Sequence, residues 1–341
     1  MKKNVKVGNV KVEPGNKERG LLKIPDVFPD GMHVEIPFTI FNGADDGPWL
    51  HIQVAQHGVE VHALEAIRRV ISEINPEELK GILVYCLPNP IAFRQRETVM
   101  SYDIIPGGMN MVWPGKPDGS LTERMAYEIW TNLIKGKADY VIDFHTGRRN
   151  APVWVFYEAH GVSSGVPKEV ADKSERMARV FGAELLYLET EEYGEGKTCR
   201  GSAVDHGIPA IVPEIGGESH FNPDHVKVAY RGLKNVMIDL GMISGEVELS
   251  KKQIILKWIK NRDKISARAP KGGIFIPKVK IADRVSRGDI LGVIYSPRTF
   301  EEIAEVESPQ DGLVFFIVEN PIVVAGQPLV GVPEIIEEIT N

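Results

Sequence analysis

Three short segments place ligand-type side chains at the ends of apolar, strand-like runs. His57-Gly58-Val59-Glu60 follows residues 49–56, Asp143-Phe144-His145-Thr146-Gly147 ends 138–145, and Pro213-Glu214-Ile215-Gly216-Gly217 ends 209–217. His57 and Glu60 are three apart, so on a helix starting there they share a face within reach of one ion. His145 supplies a third ligand. Two histidines and a carboxylate are a standard set for catalytic zinc, which keeps a fourth position open for water. Zinc lowers the pKa of that water to about 7 and polarises a carbonyl oxygen. Glu214 is the carboxylate left to take the water proton as general base, and such a site hydrolyses an amide or ester. Each segment alone has a plainer explanation. H-x-x-E recurs on solvated helix faces, D-F-H suits a core histidine, and a glutamate among glycines suits a turn. The weight lies in their combination. Of the other histidines, His51 reads as a satisfied strand residue and His62 as the polar side of its helix. His220 is the one kept as a residue backing the site.

These groups converge only if the surrounding elements bring strand ends together. Val34, Ile36, Phe38 and Ile40 alternate in the strand manner. Residues 49–56, 81–88, 138–145, 152–159, 183–189 and 209–217 read as further strands. Between them lie helical stripes over 61–74 and 167–181, a helix opened by the S-x-x-E capping box Ser120–Glu123, and one led by Pro223. Strands alternating with helices predict an α/β layer with a mainly parallel sheet. In such sheets ligands bind at the carboxyl ends of the strands. From about residue 265 short β runs are broken by glycine and proline, with no helical stripe before Glu334–Ile339, and 251–259 fits helix or strand. The expected organisation is an N-terminal β segment packed on the catalytic domain (1–48), a catalytic domain (49–250) and a small β-rich, barrel-like domain (251–341).

Composition narrows the class. The 341 residues carry 40 Lys+Arg against 47 Asp+Glu, a net charge of −7, which argues against a nucleic-acid-coating protein. Two cysteines, Cys86 and Cys199, exclude a disulfide framework and fit a cytoplasmic setting. No stretch reaches the ~18 apolar residues of a membrane span, and no apolar run follows the basic Met1-Lys2-Lys3, so neither a membrane anchor nor a signal peptide is expected.

The ordered set His57–Glu60, Asn89–Phe93 (N-P-x-A-F), Asn110–Gly115, Asp143–Gly147 and Gly207–Gly217 resembles the succinylglutamate desuccinylase/aspartoacylase family of the zinc carboxypeptidase superfamily. The resemblance implies a zinc carboxypeptidase-like three-layer α/β/α domain with a mixed, largely parallel sheet, followed by a smaller β domain. It implies one Zn(2+) per chain on His57, Glu60 and His145, with Glu214 as base, in agreement with the residue-level reading. It also implies substrate contacts from Asn110. Two departures stand out. Met111 replaces the arginine that normally follows this asparagine and holds a substrate carboxylate, and Thr98 occupies the place of an oxyanion-stabilising arginine. Arg96 is the nearest replacement for the latter, with Arg94 beside it. Arg148 and Arg149, then Lys197 and Arg200, are further cations suited to a carboxylate, and Tyr193 is a candidate lid residue. Met111 implies that the non-acyl half of the substrate lacks the usual α-carboxylate, or that Arg148 or Arg149 reads it. Cys199, with no base near it in sequence, is not expected to act as a nucleophile. The expected activity is removal of an acyl group from a small N-acylated amine or amino acid, with no nucleic-acid or membrane partner and room for a homo-oligomer. A peptide-cleaving metallocarboxypeptidase and a binding protein on a degenerate scaffold are the alternatives.

Overall fold

The computed structural model describes residues 3–25, 27–147, 151–158, 167–189, 198–217, 221–259 and 262–341. Its centre is built by apolar alternation. In Val34–Asn42, Val34, Ile36, Phe38 and Ile40 are buried on one face and Phe41 on the other. In Asp45–Val54, Leu50, Ile52 and Val54 join that second face. A strand buried on both faces needs a covering layer on each. Among the described residues the α-helices are α1 (His62–Glu73), α2 (Pro90–Gln95), α3 (Leu121–Ile129), α4 (Lys168–Phe181), α5 (Cys199–Asp205) and α6 (Pro223–Asp239). α1, α4 and α6 cover one face through Ile67, Phe181 and Leu233, while α3 and α5 cover the other through Met125, Ile129 and Val204. The three-layer α/β/α domain expected from sequence is present.

The large sheet runs, edge to edge, Ile335–Thr340, Lys252–Trp258, Leu185–Glu189, Val153–Glu158, Ala210–Ile215, Tyr140–Phe144, Asp45–Val54, Lys80–Cys86, Val34–Asn42 and Asn16–Ile24. Lys80–Cys86, Asp45–Val54, Tyr140–Phe144 and Ala210–Ile215 form one parallel block. Val153–Glu158, Leu185–Glu189 and Lys252–Trp258 form a second. The blocks meet antiparallel where Val153–Glu158 pairs with Ala210–Ile215, so the direction of the sheet switches beside Glu214.

The helix starts read from sequence hold. Ser120 and Glu123 form both arms of the capping box, and Asn222 caps α6 with Pro223 in its first turn. Two readings change. Residues 335–340 are a strand, held by pairing with Lys252–Trp258, not a helical stripe. Those two strands also belong to the large sheet, so the β-rich region with its own core (Phe275, Leu291, Ile294, Leu329, Val330) is inserted between them. At the other end, Asn16–Ile24 and Val34–Asn42 are integral strands of the same sheet. No helix among the described residues is long and apolar enough to cross a membrane.

Candidate functional site

His57, His145 and Glu214 arrive from the carboxyl ends of adjacent parallel strands. His145 follows Tyr140–Phe144 directly and bridges to Glu214: its backbone N–H donates to Pro213 O at 2.9 Å, and the Ile215 N–H donates to His145 O at 2.9 Å. His57 and Glu60 do not lie on a helix, because α1 begins at His62. They sit on a turn in which the His57 N–H donates to Glu60 Oε2 at 3.1 Å. Gly58 explains the turn: its N–H donates to Glu97 O at 2.8 Å, and a Cβ there would collide with the Ala92 carbonyl. Asn89 secures the same region, capping α2 by accepting from the Ala92 N–H at 3.0 Å and donating to Gln56 O at 3.1 Å.

Three ligand atoms converge. His57 Nδ1 is 2.6 Å and His145 Nδ1 2.9 Å from Glu60 Oε1, and the two Nδ1 atoms are 3.3 Å apart. Ligands about 2.1 Å from a tetrahedral zinc ion stand about 3.4 Å from one another, so the cluster needs only a small expansion to hold one. Its electrostatics favour a positive charge. Burial disfavours the Glu60 carboxylate, but His145 and His57 outweigh it and hold the group down at about 2. Burial likewise disfavours the His145 cation, yet Asp143 and Glu60 hold that ring well above its usual value.

The ring of His145 is fixed from behind. Its Nε2 donates to Asp143 Oδ2 at 3.1 Å, and the Gln56 amide donates to the same oxygen at 2.6 Å. Trp113 Nε1 donates to Gln56 Oε1 at 2.7 Å, and Gln53 donates to Asp143 Oδ1 at 3.0 Å. Beyond them His51 pairs with Gln53 Oε1 at 3.1 Å. The register explains this buried polar line: His51 stands opposite Val141 and Gln53 opposite Asp143 on neighbouring parallel strands.

Glu214 stands opposite Trp154 across the antiparallel pair. Among the described residues its buried Oε2 has no hydrogen-bond partner. Burial pushes its carboxyl up to about 7, with the Glu60 charge adding to the rise against His145 and His57. Glu214, His57, Thr98 and Thr146 line one cavity of about 310 Å3. Ile265, Phe315, Phe316 and Pro333 close the same cavity, and all lie beyond the first parallel block in sequence.

Other sequence-derived candidates fall elsewhere. Arg94 and Arg96 are exposed and do not line the cavity. Arg96 ends α2 in the left-handed conformation (φ 59°), and it is Thr98, two residues on, that reaches the cavity. Asn110 sits half-buried on the short turn Gly108–Met111, outside the cavity lining. Arg200 is buried in ion pairs with Glu158 (3.1 Å) and Glu189, which fits a structural role. Cys199 is buried, and burial pushes its thiol well above its usual value. His62 is buried with its ring 5.3 Å from that of His225, not on a polar helix face. Arg148, Arg149, Tyr193, Lys197 and His220 lie outside the described residues. Sequence reading missed Gln53 and Trp154, placed by pairing between distant strands, and Gln56 and Trp113, joined by a hydrogen bond between loops far apart in sequence.

Residues 46–240 match the profile of the succinylglutamate desuccinylase/aspartoacylase catalytic domain. The chain is 24% identical, over 89% of its length and 88% of the relative's, to the N-alpha-acetyl-L-2,4-diaminobutyric acid deacetylase of Halomonas elongata. The product-bound ectoine utilization protein EutE of Ruegeria pomeroyi superposes with a TM-score of 0.82 at 22% identity, covering 96% of this chain and 98% of that one. A succinylglutamate desuccinylase from a Silicibacter species does so with a TM-score of 0.82 at 21% identity, covering 98% and 100%.

Proposed function

Since the chain belongs to the succinylglutamate desuccinylase/aspartoacylase family, we propose that it is a zinc-dependent deacylase that cleaves the amide of a small N-acylated amine or amino acid. The observation that carries this reading is the convergence of His57 Nδ1, His145 Nδ1 and Glu60 Oε1, with His57 lining the cavity that also holds Glu214. In this reading His57, Glu60 and His145 hold one zinc ion. Bound there, zinc supplies a Lewis acid that polarises the scissile carbonyl and makes water acidic near neutrality. Glu214 takes a proton from the attacking water, the C–N bond breaks, and Glu214 returns the proton to the leaving nitrogen. Its raised carboxyl pKa suits both halves of that transfer. Asp143 keeps Nδ1 of His145 turned toward Glu60. Phe315, Phe316 and Pro333 narrow the cavity, which favours a small substrate over a peptide. A small-molecule N-acyl substrate and a cytoplasmic setting belong to this proposal, as does the acetylated diamino acid of the Halomonas relative as a first substrate to try.

The test is metal content by plasma mass spectrometry, beside His57→Ala, together with hydrolysis of N-acetyl-2,4-diaminobutyrate and other N-acyl amino acids. About one zinc per chain, lost in the variant and accompanied by turnover, is expected. Zinc without turnover on any N-acyl compound would favour a binding protein, and no zinc after supplementation would remove the catalytic reading.

A further inference from the structure

His57 and Glu214 share their cavity with a set of aromatic rings, and the rings carry information about what else must fit there. Trp154 and Phe156 alternate along Val153–Glu158, on the side of the sheet that faces Glu214 and Val212 in the neighbouring strand. Phe156 pairs in register with Tyr187 of Leu185–Glu189, and the two ring centroids are 5.2 Å apart. Phe315, contributed by the inserted β region, packs edge-to-face on both Trp154 (4.8 Å, 70°) and Tyr187 (4.7 Å, 68°). Edge-to-face contact is one of the arrangements that aromatic rings prefer, and it fixes the wall before any ligand arrives. Two glycines make the wall possible. A Cβ on Gly147 would run into the ring of Trp154, and one on Gly331 into the ring of Phe316, its register partner. Trp154, Phe156, Tyr187, Phe315, Phe316 and Ile265 all line the cavity.

Among the described residues no lysine or arginine lines the cavity. The fixed acidic group there is Glu214, and the buried guanidinium of Arg200 is already engaged by Glu158 and Glu189. Among the described residues a second carboxylate on the substrate would leave water for this wall without a partner, which is costly. An alkyl or aryl group would gain from the same move.

On the deacylase reading above, we infer that the substrate carries an apolar group, aliphatic or aromatic, next to the scissile amide, and that Phe315 and Phe316 set this preference. The apolar group belongs to the acyl half or to the amine half. Burying one methylene corresponds to about a fourfold gain in transition-state binding, so a series of three or four methylenes resolves the effect.

The experiment uses the full chain supplemented with zinc. One series varies the acyl group on alanine: acetyl, butyryl, hexanoyl, phenylacetyl and succinyl. A second keeps acetyl and varies the amine: alanine, leucine, phenylalanine and aspartate. The expected result is a kcat/KM that climbs about fourfold per buried methylene in one series, with the dicarboxylic member lowest. Phe315→Ala and Phe316→Ala should flatten the climb. If the first variant loosens the wall too far to fold, the half-exposed Phe316 still reports. In parallel, calorimetry measures binding of hexanoate, phenylacetate, succinate and N-acetyl-phenylalanine amide, with no turnover required. Apolar ligands bound more tightly than succinate, and weakened by Phe316→Ala, support the inference even if no N-acyl compound is hydrolysed. That outcome would bring down the deacylase reading alone. Tightest binding or fastest turnover of the dicarboxylic member, no chain-length dependence in either series, or no binding of any apolar ligand would overturn it.

Discussion

Asp143 fixes the ring of His145: its Oδ2 accepts from His145 Nε2 at 3.1 Å, which leaves the opposite ring nitrogen turned toward Glu60 at 2.9 Å. A carboxylate in this place sets the tautomer and raises the basicity of the ring. Asp143→Asn keeps the shape but loses the charge and one certain acceptor. The expected consequence is a zinc affinity lower by about 10- to 100-fold, read by competition with a chromophoric chelator. Unchanged affinity would show that Gln56 and packing alone orient the ring.

Glu214 lies outside the His57–Glu60–His145 triangle yet lines the same cavity as His57. Glu214→Gln should leave zinc content intact while lowering kcat about 10²- to 10⁴-fold, the usual contribution of a positioned general base. Turnover within tenfold of the parent would place the base elsewhere. Loss of zinc would mean that Glu214 is itself a ligand.

His51 supplies a test that needs no substrate. The ring is fully buried, and desolvation brings it down to about 4 from a reference of 6.5, against the pull of Gln53 and Asp143. A folded-state pKa below the unfolded one favours the native state while the ring is neutral. That contribution is complete above pH about 6.5 and is lost as pH falls through the folded value near 4. The shift corresponds to about 3 kcal/mol. Urea midpoints at pH 7.5 and 4.5 should therefore converge in His51→Gln relative to the parent. Equal acid sensitivity in the two proteins would assign the loss to other groups.

Gly58 has no room for a side chain, because the Ala92 carbonyl occupies the place of its Cβ. Gly58→Ala must push apart the loop carrying His57 and the first turn of α2. A loss of about 1–3 kcal/mol of stability is expected, with weaker zinc binding, both measurable by thermal melts with and without the ion. A melt matching the parent would show that the two backbones can part without strain.

Much of the site was legible because its ligands follow apolar runs, and apolar runs are what a sequence displays most clearly. His57, Glu60, His145 and Glu214, which the fold brings together, are legible as candidates in this way. Their convergence followed from the rule that strand ends in a parallel sheet share a crevice. The helical placement of His57 and Glu60 failed because the contact between Gly58 and Ala92 joins segments separated by α1 and Lys80–Cys86 and cannot be read from spacing. The polar line from His51 to Asp143 was invisible because it depends on register between strands some 90 residues apart. The aromatic wall was hidden in the same way, since Trp154 and Phe315 meet across 161 positions of the chain, the difference of their numbers. The last strand misled because a short apolar and acidic run fits either period. Its pairing with Lys252–Trp258 decided the matter.

The inserted β region is anchored at both ends in the large sheet, by Lys252–Trp258 and by Ile335–Thr340, and Arg179 of α4 adds a tie to Glu337 at 3.0 Å. A chain shortened after residue 250 would therefore lose more than an appendage. Leu185–Glu189 would become a bare edge, its backbone amides and carbonyls open to pairing with other copies. During synthesis the same arrangement means that this flank of the sheet stays unfinished until residues 335–340 have left the ribosome. Hydrophobic surface around Leu185 and Tyr187 must be sheltered until then.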